Sequence, residues 1–212
     1  MKHKKTLKLY NYWNELRGDN PAPKRSALDP QLISNLLGDL FILERKSPVN
    51  YAFRLAGTRL CSAYGRELRE QSFPHFWSEC DRESMETLLY SITEDAAAAV
   101  VGIQAQSAAG NSLPLEMILL PLFQDNGKLT RVLGGLVPLE SAYWIGVDPL
   151  MRQSVRSLRL IWPDKHPVTP DIPKKAIAAH PPFGHARATR TAVNLRVIEG
   201  GLSTKRSKNT LS

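Results

Sequence analysis

Three strand-length apolar stretches follow one another in the second half of the chain, separated only by two tight turns. The stretches are residues 100–107, 113–123 and 130–140, and the turns are Ala109-Gly-Asn111 and Asp125-Asn-Gly127. Turns this short join strands that run antiparallel to each other. The sequence therefore predicts an antiparallel meander, which constrains the fold more than any other feature.

The first half of the chain supplies two more strands and a long helix. Residues 39–46 and 51–55 read as a hairpin, and strict alternation in the second strand places Tyr51, Phe53 and Leu55 on one face. A short helix over 58–64 and a longer one over 81–98 follow. The predicted fold is α+β, with a five-stranded antiparallel sheet and a helical crossover.

An amphipathic helix opens the chain. Its apolar face is spaced at three- and four-residue steps and comprises Leu9, Tyr12, Trp13 and Leu16. A helix this short must pack on a partner, which is either its own domain or the same helix of a second subunit. A second helix is predicted from Asp29 to Leu37. We assign an N-terminal helix and loop to residues 1–26, the main domain to 27–145, and a C-terminal extension to 146–212.

Positive charge is concentrated in the C-terminal extension. Residues 150–212 contain twelve Lys and Arg against three Asp and Glu, although the whole chain carries a net charge of +8. The proline-rich segment 163–182 argues against regular structure there. We expect a mostly irregular basic tail, with a short strand candidate at 193–198.

Several functional classes find no support in the sequence. No run approaches the ~18 apolar residues of a membrane-spanning helix, and the basic start lacks the apolar core of a secretory signal. Cys61 and Cys80 fit neither a disulfide framework nor a metal-binding spacing. No phosphate-binding loop or hydrolase motif occurs. We expect a cytoplasmic, non-enzymatic protein without a metal site.

Five short segments carry a resemblance to a known family. They are Tyr12-Trp-Asn-Glu-Leu-Arg-Gly18, Pro21-Ala-Pro-Lys-Arg25, Leu28-Asp-Pro30, Phe53-Arg-Leu-Ala-Gly-Thr-Arg-Leu60 and Tyr64-Gly-Arg-Glu-Leu68. Over residues 10–145 the sequence resembles bacterial single-domain PAS-like proteins of the PAS sensory superfamily. The resemblance implies a signalling or regulatory module, but this fold hosts many different functions.

The cofactors of PAS proteins are not expected here. PAS photoreceptors that bind flavin carry a reactive cysteine within an Asn-Cys-Arg-Phe motif. Cys61 lies in Arg-Leu-Cys-Ser-Ala and does not match that motif. Haem binding needs an axial histidine, usually on the long helix, and residues 81–98 contain none. His75 lies just before that helix, so we regard a haem site at His75 as the less favoured interpretation.

Three modes of action remain open from the sequence. The first is homodimerisation and interaction with a signalling protein, with Leu9, Tyr12, Trp13 and Leu16 packing on the outer sheet face of a second subunit. The second is a small apolar ligand in a cavity lined by Phe53, Leu55, Phe73, Phe76, Trp77, Met85, Leu89, Met117 and Gly134. The third is binding of nucleic acid or an anionic membrane through residues 187–208 of the tail.

Overall fold

A six-stranded antiparallel sheet organises residues 1–162, which are the residues that the computed structural model describes. The helices are α1 (Lys4–Arg17), α2 (Thr58–Ala63) and α3 (Glu79–Asp95). The strands are β1 (Leu40–Ser47), β2 (Asn50–Ala56), β3 (Ala98–Ser107), β4 (Ser112–Leu122), β5 (Arg131–Pro138) and β6 (Leu150–Ile161). Their order across the sheet is β2-β1-β5-β4-β3-β6. The α+β class is confirmed, with six strands where five were predicted.

The predicted meander forms strands β3, β4 and β5. Its two turns contain Gly110 and Gly127, whose φ angles are +86° and +78°. Glycine adopts these angles without the strain that other residues would suffer, which explains why the sequence predicted both turns.

Each face of the sheet has its own hydrophobic cluster. α2, α3 and the 3-10 helix Phe73–Phe76 cover the inner face, where the side chains of Leu43, Phe53 and Met117 belong to one buried cluster. α1 covers the outer face, where Ile42 and Ile118 belong to the second cluster. Strands β1 and β4 therefore contribute to both cores, as alternating strands in the middle of a sheet do.

A bulge in β2 overturns the predicted orientation of Leu55. Phe53 pairs with Leu43, whereas Leu55 pairs with Ile42, so Arg54 is an extra residue opposite the β1 strand. The extra residue breaks the two-residue alternation and puts Leu55 on the outer side of the edge strand. Leu55 is 48% exposed and does not line the inner core.

The helix predicted from Asp29 to Leu37 is replaced by turns and a 3-10 helix over Ser34–Asp39. The Asp29 backbone is held by α1, because its N–H donates to the Tyr12 hydroxyl at 2.7 Å. Its carboxylate accepts from the N–H of Gln31 at 2.9 Å, which forms an Asx turn instead of a helix cap. A tertiary contact therefore overrides the local helix signal.

The sheet continues beyond the boundary that we assigned at residue 146. β6 pairs with β3 along Leu150–Ile161 and bulges at Arg156, where Val155 lies opposite Ile103 and Ser157 opposite Gly102. Residues 163–212 lie outside the described residues. The basic tail, its strand candidate 193–198 and its nucleic-acid or membrane role therefore stay predictions. Within residues 1–162, no helix is both long and apolar enough to cross a membrane.

Candidate functional site

The inner face of the sheet carries a cluster of phenylalanine rings. The Phe53 ring lies 5.5 Å from Phe41, 5.6 Å from Phe73 and 5.4 Å from Phe76, centroid to centroid. Phe73 and Phe76 come from the 3-10 helix that precedes α3, which points both rings at the sheet. Tilted and edge-on ring pairs at these distances are favourable beyond their buried area.

The structure brings most of the predicted cavity lining together. Seven of the nine side chains are buried in the inner cluster: Phe53, Phe73, Phe76, Trp77, Met85, Leu89 and Met117. Gly134 lies on the same face, because it pairs directly with Phe41 of β1. Leu55 does not join them. The sequence thus located the inner core correctly, apart from the residue displaced by the bulge.

Gly134 accommodates a ring of its own chain. A Cβ atom at this position would lie 2.0 Å from Cζ of Phe41, so the ring of the cross-strand neighbour closes over the bare glycine backbone. The space that a side chain would occupy at Gly134 is therefore filled by the ring of Phe41.

Trp77 provides a polar group in this otherwise apolar core. Its ring lies 5.9 Å from Phe73, and its side chain is buried. The indole Nε1–H has no hydrogen-bond acceptor among the described residues. A buried donor without an acceptor costs about 1–3 kcal/mol, so this N–H is a place where an acceptor atom would bind favourably. The sequence placed Trp77 in the lining but carried no signal for this unpaired donor.

The residues considered for cofactor chemistry differ in their distance from this core: Cys61 packs against the inner cluster, whereas His75 and Cys80 do not belong to it. His75 is exposed on the 3-10 helix, and Cys80 is exposed on α3. Cys61 is half-buried on α2, with its Sγ 3.7 Å from the carboxylate of Glu67. No cluster of metal-ligating side chains occurs in residues 1–162.

Helix α1 packs on the outer sheet face of its own chain, one of the two alternatives left open by the sequence, and the dimer interface stays a prediction. Leu9, Tyr12 and Trp13 are buried there, and Leu16 packs against the edge of the same cluster. The indole of Trp13 donates to the carbonyl of Pro121 at 2.8 Å. The apolar face of α1 is thus covered within one chain, so these side chains are not available to a second subunit while α1 is docked.

Two buried carboxylates hold the N-terminal half of α1. Glu116 of β4 accepts from the backbone N–H groups of Lys2 and His3, at 2.6 and 3.0 Å. Asp39 accepts from Lys5 Nζ at 2.6 Å and from the Arg59 guanidinium at 2.5 and 2.8 Å. The space left between α1 and the sheet beside Asp39 is only about 10 Å³, at the lower limit for one buried water.

The electrostatics of both carboxylates favour the ionised form. Burial raises the pKa of Asp39, but the hydrogen bonds from Arg59 and Lys5 outweigh it and hold that pKa below its ordinary value. Burial likewise raises the pKa of Glu116, and the backbone N–H groups at the start of α1 more than offset it. Both anchors are therefore charged at neutral pH.

The sequence reading missed these two anchors. Glu116 and its backbone partners are far apart in the sequence, and Arg54, an arginine on strand β2, pairs with Glu70 at 3.8 Å. The available signal was an acidic residue inside an apolar strand, between Leu115 and Met117. A charge at such a position is stable only with a partner.

Solved structures with a similar fold include the PAS domain of a protein from Colwellia psychrerythraea, with 13% identity, a TM-score of 0.39, and coverage of 51% of this chain and 95% of that chain. The Rhodobacter sphaeroides LOV protein shows 11% identity and a TM-score of 0.40, covering 55% of this chain and 71% of that chain. A light-oxygen-voltage domain studied with a flavin analogue shows 14% identity and a TM-score of 0.41, covering 53% and 85%.

No curated protein matches the sequence. The family described as PAS domain matches residues 1–137, a span that includes the three helices, strands β1 to β4 and all of β5 except its last residue. The chain belongs to the PAS domain family.

Proposed function

We propose that this chain is a non-enzymatic PAS signalling module that acts through protein–protein interaction, with α1 as its moving part. The observation that carries the proposal is that α1 covers the outer sheet face of its own chain and is held there by two charged anchors, Asp39 and Glu116. Release of α1 presents that face to a partner, and a second copy of the chain is the partner that we expect first.

The surface beneath α1 supports this role because it is apolar. It is formed by Leu40, Ile42, Ile118, Leu120 and Leu133, all buried by the helix and its flanking loops. An exposed apolar sheet face of this kind favours association. The released helix also exposes its own apolar face. Release therefore makes two apolar surfaces available to a partner at once, one on the sheet and one on the helix.

The contact is suited to release because both anchors are carboxylates that hold the N-terminal end of α1. α1 has 14 residues, a length at which an isolated helix is marginal in water. The Lys5 and Arg59 side chains that hold Asp39 are themselves more than one-third exposed. Competing charges from solvent or a partner therefore reach this anchor directly.

Strand β1 links the inner core to the α1 contact. Phe41 points into the inner cluster, whereas Leu40 and Ile42 on either side of it point into the outer cluster under α1. A change in the packing of Phe41 moves the same strand that supports the helix. Signal transfer in this proposal runs through that strand.

The experiment compares two charge reversals on α1 of the full-length protein. Lys5→Glu places a like charge against Asp39 and releases the helix, whereas Lys8→Glu, one turn along, replaces an exposed side chain bonded only to Asn35. Light scattering over a concentration series should show the Lys5→Glu variant dimerising at lower concentration than the wild-type protein and the Lys8→Glu control. A Lys5→Glu variant whose α1 amides exchange rapidly but whose mass stays that of a monomer contradicts the proposal.

A second function, sensing of a small ligand in the inner core, is favoured by the unpaired Nε1–H of Trp77. The ligand would be mainly apolar and would carry one acceptor atom for this donor. Native mass spectrometry and an absorption spectrum of protein purified from its own host should show extra bound mass. Trp77→Phe should lose it, and Trp162→Phe, which changes an exposed indole, should keep it. A mass equal to the polypeptide in all three proteins excludes this function.

A further inference from the structure

Strand β6 ends the sheet and carries three arginines with no acidic partner. Arg152, Arg156 and Arg159 are exposed, and none of them forms an ion pair within residues 1–162. On its side away from β3, β6 has no neighbouring strand in the described part of the chain. An edge of this kind offers backbone N–H and C=O groups to another extended segment.

The first half of this edge is closed by the start of α3. The carbonyl of Gln153 accepts from the N–H of Ser78 at 3.0 Å, and the N–H of Val155 donates to the carboxylate of Asp81 at 3.1 Å. Within residues 1–162, no such contact is made by the backbone beyond the bulge at Arg156. The open edge is therefore residues 156–161.

The two faces of the open edge carry different side chains, a charged one on the outer face and apolar ones on the inner face. Arg159 lies opposite Val100, which belongs to the outer cluster, so its charge is on the outer face. Leu158 and Leu160 lie opposite Val101 and Ala99, which belong to the inner cluster. A strand that matches this edge alternates acidic and apolar side chains.

We propose that residues 156–161 of β6 bind an extended, acidic segment of a partner protein as a seventh strand. Arg156 and Arg159 would attract and orient the segment, and the open backbone groups would hydrogen-bond it. A second copy of β6 is disfavoured because it would bring its own arginines against Arg159. The same charges that prevent pairing between copies thus select an acidic partner.

The test varies Arg159 and leaves the α1 anchors Asp39 and Glu116 unchanged, so its outcome is independent of the function proposed above. The probe is a fluorescent peptide of alternating Glu and Val, about eight residues long, which suits a strand of ordinary length. A second peptide has the same sequence with N-methyl groups on alternate residues, which removes backbone donors and keeps the charge. Binding to the full-length protein is measured by anisotropy at about 0.15 M salt, where charges more than roughly 8 Å apart are screened.

Arg159→Glu should weaken binding about tenfold, because an attractive cross-strand pair becomes a repulsive one. Arg152→Glu is the matched control, since it has the same charge on the same strand and face but lies beside the closed part of the edge. It should change affinity less than about twofold, and Arg159→Gln should fall between the two variants. Thermal unfolding checks that all three variants are folded, which we expect of exposed substitutions.

Four results overturn the proposal. Equal binding of the methylated peptide would mean that charge alone attracts it, and equal loss in both Glu variants would mean that no defined edge is used. Failure of the unmodified peptide to bind the full-length protein would mean that the arginines only protect the edge, or that the chain's own residues occupy it. Displacement of the peptide by single-stranded DNA, with the same dependence on Arg159, would instead assign the site to nucleic acid.

Discussion

The carboxylate of Asp81, in the first turn of α3, accepts a hydrogen bond from the backbone N–H of Val155 in the edge strand β6 at 3.1 Å. The same oxygen accepts from the hydroxyl of Ser78 at 2.8 Å, so one side chain ties the start of the helix to the edge of the sheet. Since α3 covers the inner core and β6 carries the open edge, Asp81 connects the helix over the core to the strand at the edge of the sheet.

Replacing Asp81 with alanine should loosen this connection. We expect the free energy of unfolding to fall by about 1–2 kcal/mol, because the N–H of Val155 and the hydroxyl of Ser78 lose their acceptor. Hydrogen exchange should show a faster rate at the Val155 amide. Glu83→Ala, which removes an exposed carboxylate two residues further along the helix, is the control and should change neither quantity. Unchanged exchange at Val155 in the Asp81 variant would show that this contact does not protect the edge.

The anchoring of α1 should weaken in acid. Because the pKa of Asp39 is lowered in the folded protein, its stabilisation is complete above its ordinary pKa and is lost as the pH falls through the folded value. Glu116 acts in the same direction. We expect near-ultraviolet circular dichroism and the free energy of unfolding to fall as the pH drops below about 4.

Asp39→Asn separates this effect from general acid denaturation. The substitution should cost about 2 kcal/mol at neutral pH, because Lys5 and Arg59 lose a charged acceptor, and the acid side of the stability curve should become flatter. Glu15→Gln, on α1, removes an exposed carboxylate that does not contact Lys5 or Arg59 in the described residues, and it should leave the curve unchanged. The same steep acid transition in wild type and Asp39→Asn would assign the pH dependence to other groups.

The sequence was most informative where structure is determined locally. The turns at Gly110 and Gly127 and the alternation in β4 depend on near neighbours, so the meander could be predicted. The orientation of Leu55 could not, because the bulge at Arg54 arises from pairing between β1 and β2. β6 was equally hidden, since its bulge at Arg156 shifts the apolar alternation halfway along the strand.

The candidate site shows the same division. Side-chain spacing identified the inner cluster around Phe53 and Met85. The apolar face of α1 was also found, but an amphipathic pattern reads the same whether the helix covers its own sheet or that of another chain. The deciding contacts are long-range: Glu116 lies 114 residues from Lys2 and 113 from His3. Such pairings carry no signature in a single sequence.

The covering of the sheet by α1 predicts very different costs for two substitutions on that helix. Trp13 is 2% exposed and donates to Pro121, so Trp13→Ala should lower the free energy of unfolding by about 3–5 kcal/mol. Leu7 is 49% exposed, and Leu7→Ala should cost less than about 0.5 kcal/mol. Urea titration at several protein concentrations provides the measurement. If the Trp13 effect appears only at high concentration, the helix packs on another chain.

The ring of Phe41 over Gly134 predicts a clash that a second substitution relieves. Gly134→Ala should cost about 2 kcal/mol, because the added Cβ meets the ring atoms of a close-packed core. Gly135→Ala is the matched control: its Cβ meets the end of the Leu9 side chain at 3.0 Å, which can move aside, so its cost should be smaller.

Phe41→Leu shortens the side chain above Gly134, and the double variant of Gly134→Ala and Phe41→Leu should be more stable than the sum of the two single losses implies. Thermal or urea unfolding of the four proteins measures this coupling. Additive losses would mean that the ring is displaced from Gly134 in solution, and that the strand linking the inner core to α1 is not held by this contact.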